Sequence, residues 1–256
     1  MLHSKSLAAV FVLFLFFFIS SCNKNENTVN PVDNNTSVIF PLKVGNQWNY
    51  IDSTFDENNS LVKVSSSSLR ITGSTNITYN GKSLEVFYWN WIDVANNKPG
   101  DIKWLIRNET DGLYFYGGRY LDSNFVFKKT LSEKYPVNVG DTWNNITYSF
   151  STTNSSFEIS DTSLFTCIYV NKKFKTPIGE LDSYVYNYQK TIDNEINDIY
   201  LYFSKDVGYI GFESKINGIL RRKKTLNSLG LLKTSPKNNS TAINDTRESQ
   251  SAYDVR

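Results

Sequence analysis

The chain has 256 residues, with 27 Lys and Arg against 25 Asp and Glu and a formal net charge of +2. So balanced a chain lacks the electrostatic footprint of a nucleic-acid binder, and no nucleic-acid partner is expected. Its single histidine is His3, inside an apolar leading segment laid out as a cleaved export signal, so Ser-His-Asp and Cys-His catalysis and histidine-built zinc sites are not expected in the mature protein.

Residues 1–21 follow the plan of a secretory signal: His3 and Lys5 come first, then an unbroken apolar run from Leu7 to Ile19, then Ser20 and Ser21. The run is 13 residues long, whereas a spanning helix needs about 20. Ile19-Ser20-Ser21-Cys22 resembles the bacterial lipobox, which implies that Cys22 becomes the new N-terminus and carries lipid. Two or three acyl chains, palmitate among them, hold a protein to a membrane effectively permanently. Residues 23–37 (NKNENTVNPVDNNTS) have no aromatic residue and read as a flexible tether. By resemblance to other lipoproteins, Asn23 rather than Asp after the cysteine points to the outer membrane.

The remainder, residues 38–232, reads as one all-β domain. Aromatic residues make up 15% of the chain, Thr, Ser, Val and Ile are frequent, and no amphipathic run of helical period follows Cys22. Asn80-Gly81, Asp111-Gly112 and Asn217-Gly218 sit between apolar runs as candidate type I′ hairpin turns. Reading outward from them predicts strands near 46–54, 61–78, 83–94, 101–108, 112–118 and 124–131. In the second half they fall near 142–151, 155–173 with a break, 180–193, 197–204, 207–216 and 219–226. The expected architecture is a large curved antiparallel sheet, closed into a partly open barrel or half-barrel or folded into a sandwich. Residues 233–256 are polar and read as a disordered tail.

Phe40-Pro41-Leu42-Lys43-Val44-Gly45-Asn46-Gln47-Trp48 recurs, 95 residues on, as Tyr135-Pro136-Val137-Asn138-Val139-Gly140-Asp141-Thr142-Trp143. Either the domain has a two-fold internal repeat or one local structure is used twice. In both copies Pro excludes helix and Gly permits a tight turn before a strand whose Trp enters the core.

The first copy, with Trp48-Asn49-Tyr50, resembles the opening of a group of uncharacterised lipoproteins common in Bacteroidota. Asp111-Gly112-Leu113-Tyr114-Phe115-Tyr116-Gly117 resembles their central hairpin. Thr176-Pro177-Ile178-Gly179-Glu180-Leu181-Asp182-Ser183-Tyr184 is similar to their TPxGxFxxY segment, with Leu181 where an aromatic is usual. Tyr202-Phe203-Ser204-Lys205-Asp206-Val207-Gly208-Tyr209-Ile210 resembles their YxxxVGxI strand. The resemblance spans roughly residues 38–216 and implies an antiparallel sheet wrapped on itself, distantly similar to periplasmic lipoprotein carriers and outer-membrane assembly factors. It implies no activity.

The densest aromatic stretch is Val86-Phe87-Tyr88-Trp89-Asn90-Trp91-Ile92, where alternation puts Phe87, Trp89 and Trp91 on one face. With Trp104 on the next strand, these residues are either core or a groove for a glycan or an acyl chain. Cys167, in an apolar β-branched run, reads as a buried thiol. Glu85, Asp93, Glu180, Asp182, Asp198, Asp206 and Glu213 show no spacing that singles out a catalytic pair. Arg221-Arg222-Lys223-Lys224 reads as a solvated edge strand defended by charge or as a contact for anionic headgroups. Asp52-Ser53-Thr54 resembles a short O-glycan attachment site of Bacteroidota.

The expected function is a lipid-anchored, non-enzymatic binding or assembly module of the cell envelope for an apolar ligand, a glycan or an envelope protein. It is expected to use no metal or cofactor, and its membrane contact is expected through lipid on Cys22. The alternatives are a glycan hydrolase built on two carboxylates and a structural surface protein.

Overall fold

The computed structural model describes residues 38–93, 98–192 and 194–231. The signal, Cys22, the tether and the tail therefore lie outside the described residues. Within them every regular element is a strand: β1 (Gln47–Phe55), β2 (Leu61–Tyr79), β3 (Lys82–Asp93), β4 (Lys98–Pro99), β5 (Ile102–Glu109), β6 (Gly112–Tyr120), β7 (Ser123–Lys134), β8 (Thr142–Ser151), β9 (Ser156–Thr176), β10 (Gly179–Ile192), β11 (Glu195–Ser204), β12 (Gly208–Ile216) and β13 (Ile219–Gly230). They form one antiparallel sheet in the order β7-β6-β5-β3-β2-β1-β13-β12-β11-β10-β9-β8, with β4 pairing only β3. The sheet curls into a nearly closed barrel whose unsealed seam lies between β7 and β8.

Two of the three expected hairpin turns form as predicted: Asn80 and Gly81 (φ 48° and 73°) and Asn217 and Gly218 (φ 52° and 80°) take the left-handed conformations of a type I′ turn. The third does not, because β5 and β6 meet at Glu109 opposite Gly112 and the loop residues are Thr110 and Asp111, neither with positive φ. Gly112 answers a close approach instead, since a Cβ there would stand 2.2 Å from the Glu133 carbonyl oxygen. The predicted break within 155–173 is a pair of bulges in a continuous β9. Register slips opposite Ser183, Val185 and Tyr186, and Asn171 takes φ 59°.

The repeated corner is reproduced bond for bond. Gly45 and Gly140 have φ 93° and 91°. In the first copy Gly45 N donates to Ile71 O (2.8 Å), Asn46 N to Lys43 O (3.0 Å) and Ile71 N to Asn46 O (3.0 Å). In the second, Gly140 N donates to Cys167 O (2.8 Å), Asp141 N to Asn138 O (3.1 Å) and Cys167 N to Asp141 O (2.9 Å). Each corner launches the first strand of a six-strand meander, β1-β2-β3-β5-β6-β7 in one half and β8 through β13 in the other. Advancing one half onto the other carries the β1·β13 junction onto the β8·β7 junction. The first is fully laddered, from Gln47 opposite Gly230 to Thr54 opposite Arg222; the second is the seam.

Side chains close what the ladder leaves open. Near the corner, Trp143 Nε1 and Asn145 Nδ2 both donate to Ser132 O (2.9 and 3.0 Å), and Tyr186 Oη donates to Lys134 O (2.8 Å). Toward the other end the seam is an aromatic zipper: Phe127 stacks on Tyr148 with centroids 3.9 Å apart, and Tyr120 stacks on Phe150 at 4.1 Å. Phe157 packs among Trp104, Phe125, Phe127 and Phe150. It lies so close over Gly118 that a Cβ there would stand 2.3 Å from the ring. Ring pairs of this kind add about 0.5–1.5 kcal/mol each beyond the area they bury.

The core fills the barrel at its corner end, where Phe40, Trp48, Tyr50, Leu69, Ile71, Tyr186 and Ile210 are at most 1% exposed. The segment from Val38 is tied across that end: Asp206 N donates to Val38 O (2.9 Å), Asn46 Nδ2 to Pro41 O (2.8 Å) and Asn108 Nδ2 to Phe40 O (2.7 Å). A smaller cluster of Ile77, Val86, Tyr88, Leu105 and Tyr116 lies on the opposite sheet face. Cys167 is fully buried, and burial pushes its thiol up to about 11.

Candidate functional site

The strands flanking the β1·β13 junction share one design, legible residue by residue. Along the inward face of β1, apolar Trp48 and Tyr50 give way to Asp52 and Thr54. Opposite them on β2, Leu69 gives way to Ser67, Ser65 and Lys63. On β13, Leu226 opposite Tyr50 gives way to Lys224 and Arg222. β1 and β13 turn from apolar to polar at the same height, and β2 one row sooner, at Ser67 opposite Tyr50. The barrel interior therefore opens at the end away from the corners into a cavity of about 920 Å³, lined by Asp52, Thr54, Lys63, Ser67, Trp91 and Lys224, with Arg222, Asp101 and backbone near Gly100 at the rim.

The cavity floor is a closed polar network. Lys224 Nζ lies 3.2 Å from Asp52 Oδ1 and donates to Ser67 Oγ (3.0 Å), while the Ser67 hydroxyl donates to Asp52 Oδ2 (2.5 Å). The ammonium also stands 4.0 Å from the centre of the Trp91 ring and 5.4 Å from that of Tyr50. Burial lowers the Lys224 pKa, and the attraction of Asp52 works against that shift. One row nearer the mouth, Thr54 pairs with Lys63 on one side and Arg222 on the other, so the two cations flank a hydroxyl across three adjacent strands. Neither cation has a carboxylate within ion-pair range among the described residues, and Asp101 likewise has no cation in range.

The rim at Trp91 is held by β3. Asn90, 1% exposed, donates from Nδ2 to Gly100 O (3.0 Å) and accepts from Gly100 N at Oδ1 (3.1 Å); Gly100 N also donates to Trp91 O (3.0 Å). These bonds fix the return of the chain beside the indole. Trp91 itself is 38% exposed.

The four predicted groove residues separate. Phe87, Trp89 and Trp104 are half-buried against the main core, Trp89 against Phe40 and stacked on Phe115 at 5.5 Å, and Trp104 between Phe115 and Phe157. Of the four, Trp91 alone lines the cavity. Of the carboxylates named from sequence, the Asp93 side chain lies outside those described and the others do not line it: Asp182 pairs with Lys173, Glu213 with Lys215 and Lys223, and Asp206 accepts from Val38 N. The two acidic residues that do line it, Asp52 and Asp101, are joined there by Thr54 from the Asp52-Ser53-Thr54 segment.

The basic run is corrected as well. β13 is an inner strand between β1 and β12, so Arg221-Arg222-Lys223-Lys224 guards no edge. Alternation sends Arg222 and Lys224 into the cavity, while Lys223 goes to the other face, over the Phe174 ring and near Glu213. Among the described residues, no group of three or more His, Cys, Asp or Glu side chains is gathered to hold a metal.

No family model matches the chain, and no curated protein does. Two solved structures are similar to it. One is of a protein from Bacteroides fragilis described as exported and as having a YmcC-like fold, at 14% identity and TM-score 0.41, covering 76% of this chain and 100% of the other. The second is of a protein from Parabacteroides distasonis described as a lipoprotein, at 15% identity and TM-score 0.41, covering 76% of this chain and 99% of the other.

Proposed function

We propose that the protein is a lipid-anchored, non-enzymatic binding module of the bacterial outer membrane whose ligand is a glycan seated in the open-end cavity. The observation that carries this reading is the cavity itself, with one exposed indole wall among hydroxyls, cations and carboxylates. A Trp ring offers flat area to a sugar face while Asp, Ser, Thr and Lys side chains exchange hydrogen bonds with its hydroxyls. An acyl chain fits poorly, because it would leave the charged head groups of Asp52, Lys63, Lys224 and Arg222 in the lining without partners.

Val38 is tied at the corner end, whereas Asp52, Lys63, Trp91 and Arg222 stand near strand ends at the other.

A second reading, hydrolysis by two carboxylates, draws on Asp52 and Asp101 sharing the cavity. Asp52, however, is already committed to Lys224 and Ser67. The test is a glycan array probed with the full chain and with Trp91→Ala. Retention of glycans by the first and not the second supports the binding module; appearance of shortened products establishes the hydrolase instead; no retention by either overturns the glycan reading.

A further inference from the structure

We infer that the cavity selects acidic glycans, those carrying carboxylate or sulfate groups, and that Lys63 and Arg222 are the residues that read the charge. This rests on the glycan reading above and adds a property which that reading does not require.

Charge pairing separates the three cations of the cavity. Lys224 lies deep, and its charge is already answered by Asp52 at 3.2 Å and by the Trp91 ring. It therefore organises the floor and leaves little attraction for an incoming anion. Lys63 and Arg222 differ: both line the cavity, and neither has a carboxylate partner among the described residues.

Their placement is set by register. Thr54 is the Cα partner of Lys63 on β2 and of Arg222 on β13. Strands spaced about 4.8 Å apart put the two cationic residues about 10 Å from each other with a hydroxyl between them. Side chains as long as Lys and Arg close that span around an oxyanion, Arg presenting two parallel donors and Lys a point charge. The Arg222 guanidinium stands 5.8 Å from the Phe212 ring of β12, and an anion at the Thr54 row would draw it toward β1. A sugar lying on Trp91 would place an acidic substituent toward this row.

Asp101, also in the lining, opposes such a ligand, so the selection depends on the two cations outweighing one carboxylate. Removing both cations then inverts the charge of the mouth and with it the preference.

The experiment compares, on the full chain, oligogalacturonate, its neutral methyl-esterified counterpart, sulfated oligosaccharides and neutral oligosaccharides of an array. The expected result is retention of acidic members at least tenfold stronger than that of their neutral counterparts, weakened by salt. In Lys63→Ala/Arg222→Ala, the ratio of acidic to neutral binding falls at least tenfold. Neutral glycans retained as strongly as acidic ones, or a ratio indifferent to the double variant, would overturn the inference and leave the glycan reading standing. No glycan retained at all would overturn both. Circular dichroism of the double variant confirms that the barrel is intact, and Lys63→Arg, which keeps the charge, is expected to retain acidic binding.

Discussion

Replacing Glu133 by Gln isolates a carboxyl that the fold buries beside the seam. Glu133 sits on β7 opposite Leu113, is 5% exposed, and leaves Oε2 without a hydrogen-bond partner. Burial raises its pKa from 4.5 to about 7, a shift only partly opposed by the Ser132 hydroxyl. Below pH 4.5 the carboxyl is protonated in the folded and unfolded chain alike, and it contributes no pH dependence. Between 4.5 and about 7 the folded chain keeps the proton that the unfolded chain has released, so stability falls as pH rises. At about 1.4 kcal/mol per pH unit the whole loss is about 3 kcal/mol, complete above pH 7. For a barrel of this size that is roughly 6–12 °C in melting temperature. The Gln variant has no such titration. It retains an amide to satisfy, at about 1–3 kcal/mol, so its gain at pH 8 is smaller than the wild-type loss. The assay is denaturant unfolding of both proteins at pH 5, 6, 7 and 8. Asp141 and Asp161, whose pKa values are lowered by Asn138 and Lys134 and by Lys190 respectively, lose their stabilising contribution only as pH falls below the ordinary carboxylate range, outside this window. Parallel pH profiles for wild type and Glu133→Gln would mean that Glu133 does not hold its proton in the folded chain.

Other expectations follow from the same geometry. Phe157→Ala should destabilise the barrel by about 3–5 kcal/mol and raise amide exchange along β7 and β8 while leaving the laddered β1·β13 junction protected; equal loosening of both junctions would contradict the seam. Gly45→Ala and Gly140→Ala each place a side chain at φ near +90° and should cost a similar amount, about 1–2 kcal/mol, in equilibrium unfolding if the two corners are equivalent. Lys224→Met leaves Asp52 and Ser67 without their cation and should lower stability by about 1–3 kcal/mol, whereas the half-exposed Trp91→Ala should cost less than about 2 kcal/mol. Cys22→Ser should move the protein from the membrane pellet to the soluble fraction, as cell fractionation would show.

Strand positions were legible wherever a turn demanded an unusual backbone. Asn80-Gly81 and Asn217-Gly218 carry positive φ at both positions, and only a few residues do so without strain, which is why the turns stand out in sequence. Asp111-Gly112 has the same composition, yet its glycine serves the approach of Glu133 from β7, a long-range demand that composition does not encode. The bulges of β9 mimic a break because they interrupt alternation without ending the strand.

The candidate site was harder to read for the same reason. Alternation correctly placed Phe87, Trp89 and Trp91 on one face, but which of them meets core and which meets solvent depends on Phe40 entering from the corner and Phe115 from β6. The rest of the lining comes from β1, β2 and β13, brought together by pairing over nearly the whole domain. A local signal did exist: Trp48, Tyr50, Asp52, Thr54 on one strand and Leu226, Lys224, Arg222 on another each change from apolar to polar at period two, the pattern of a barrel face that leaves the core and enters a cavity.

The most direct test of the cavity as the ligand site is hydrogen-exchange mapping of the full chain with and without an acidic oligosaccharide retained on the array. New protection is expected at residues 50–54, 63–67, 90–92 and 222–226. Protection confined to the β7·β8 seam or to the Phe174, Tyr202 and Lys223 face would contradict it.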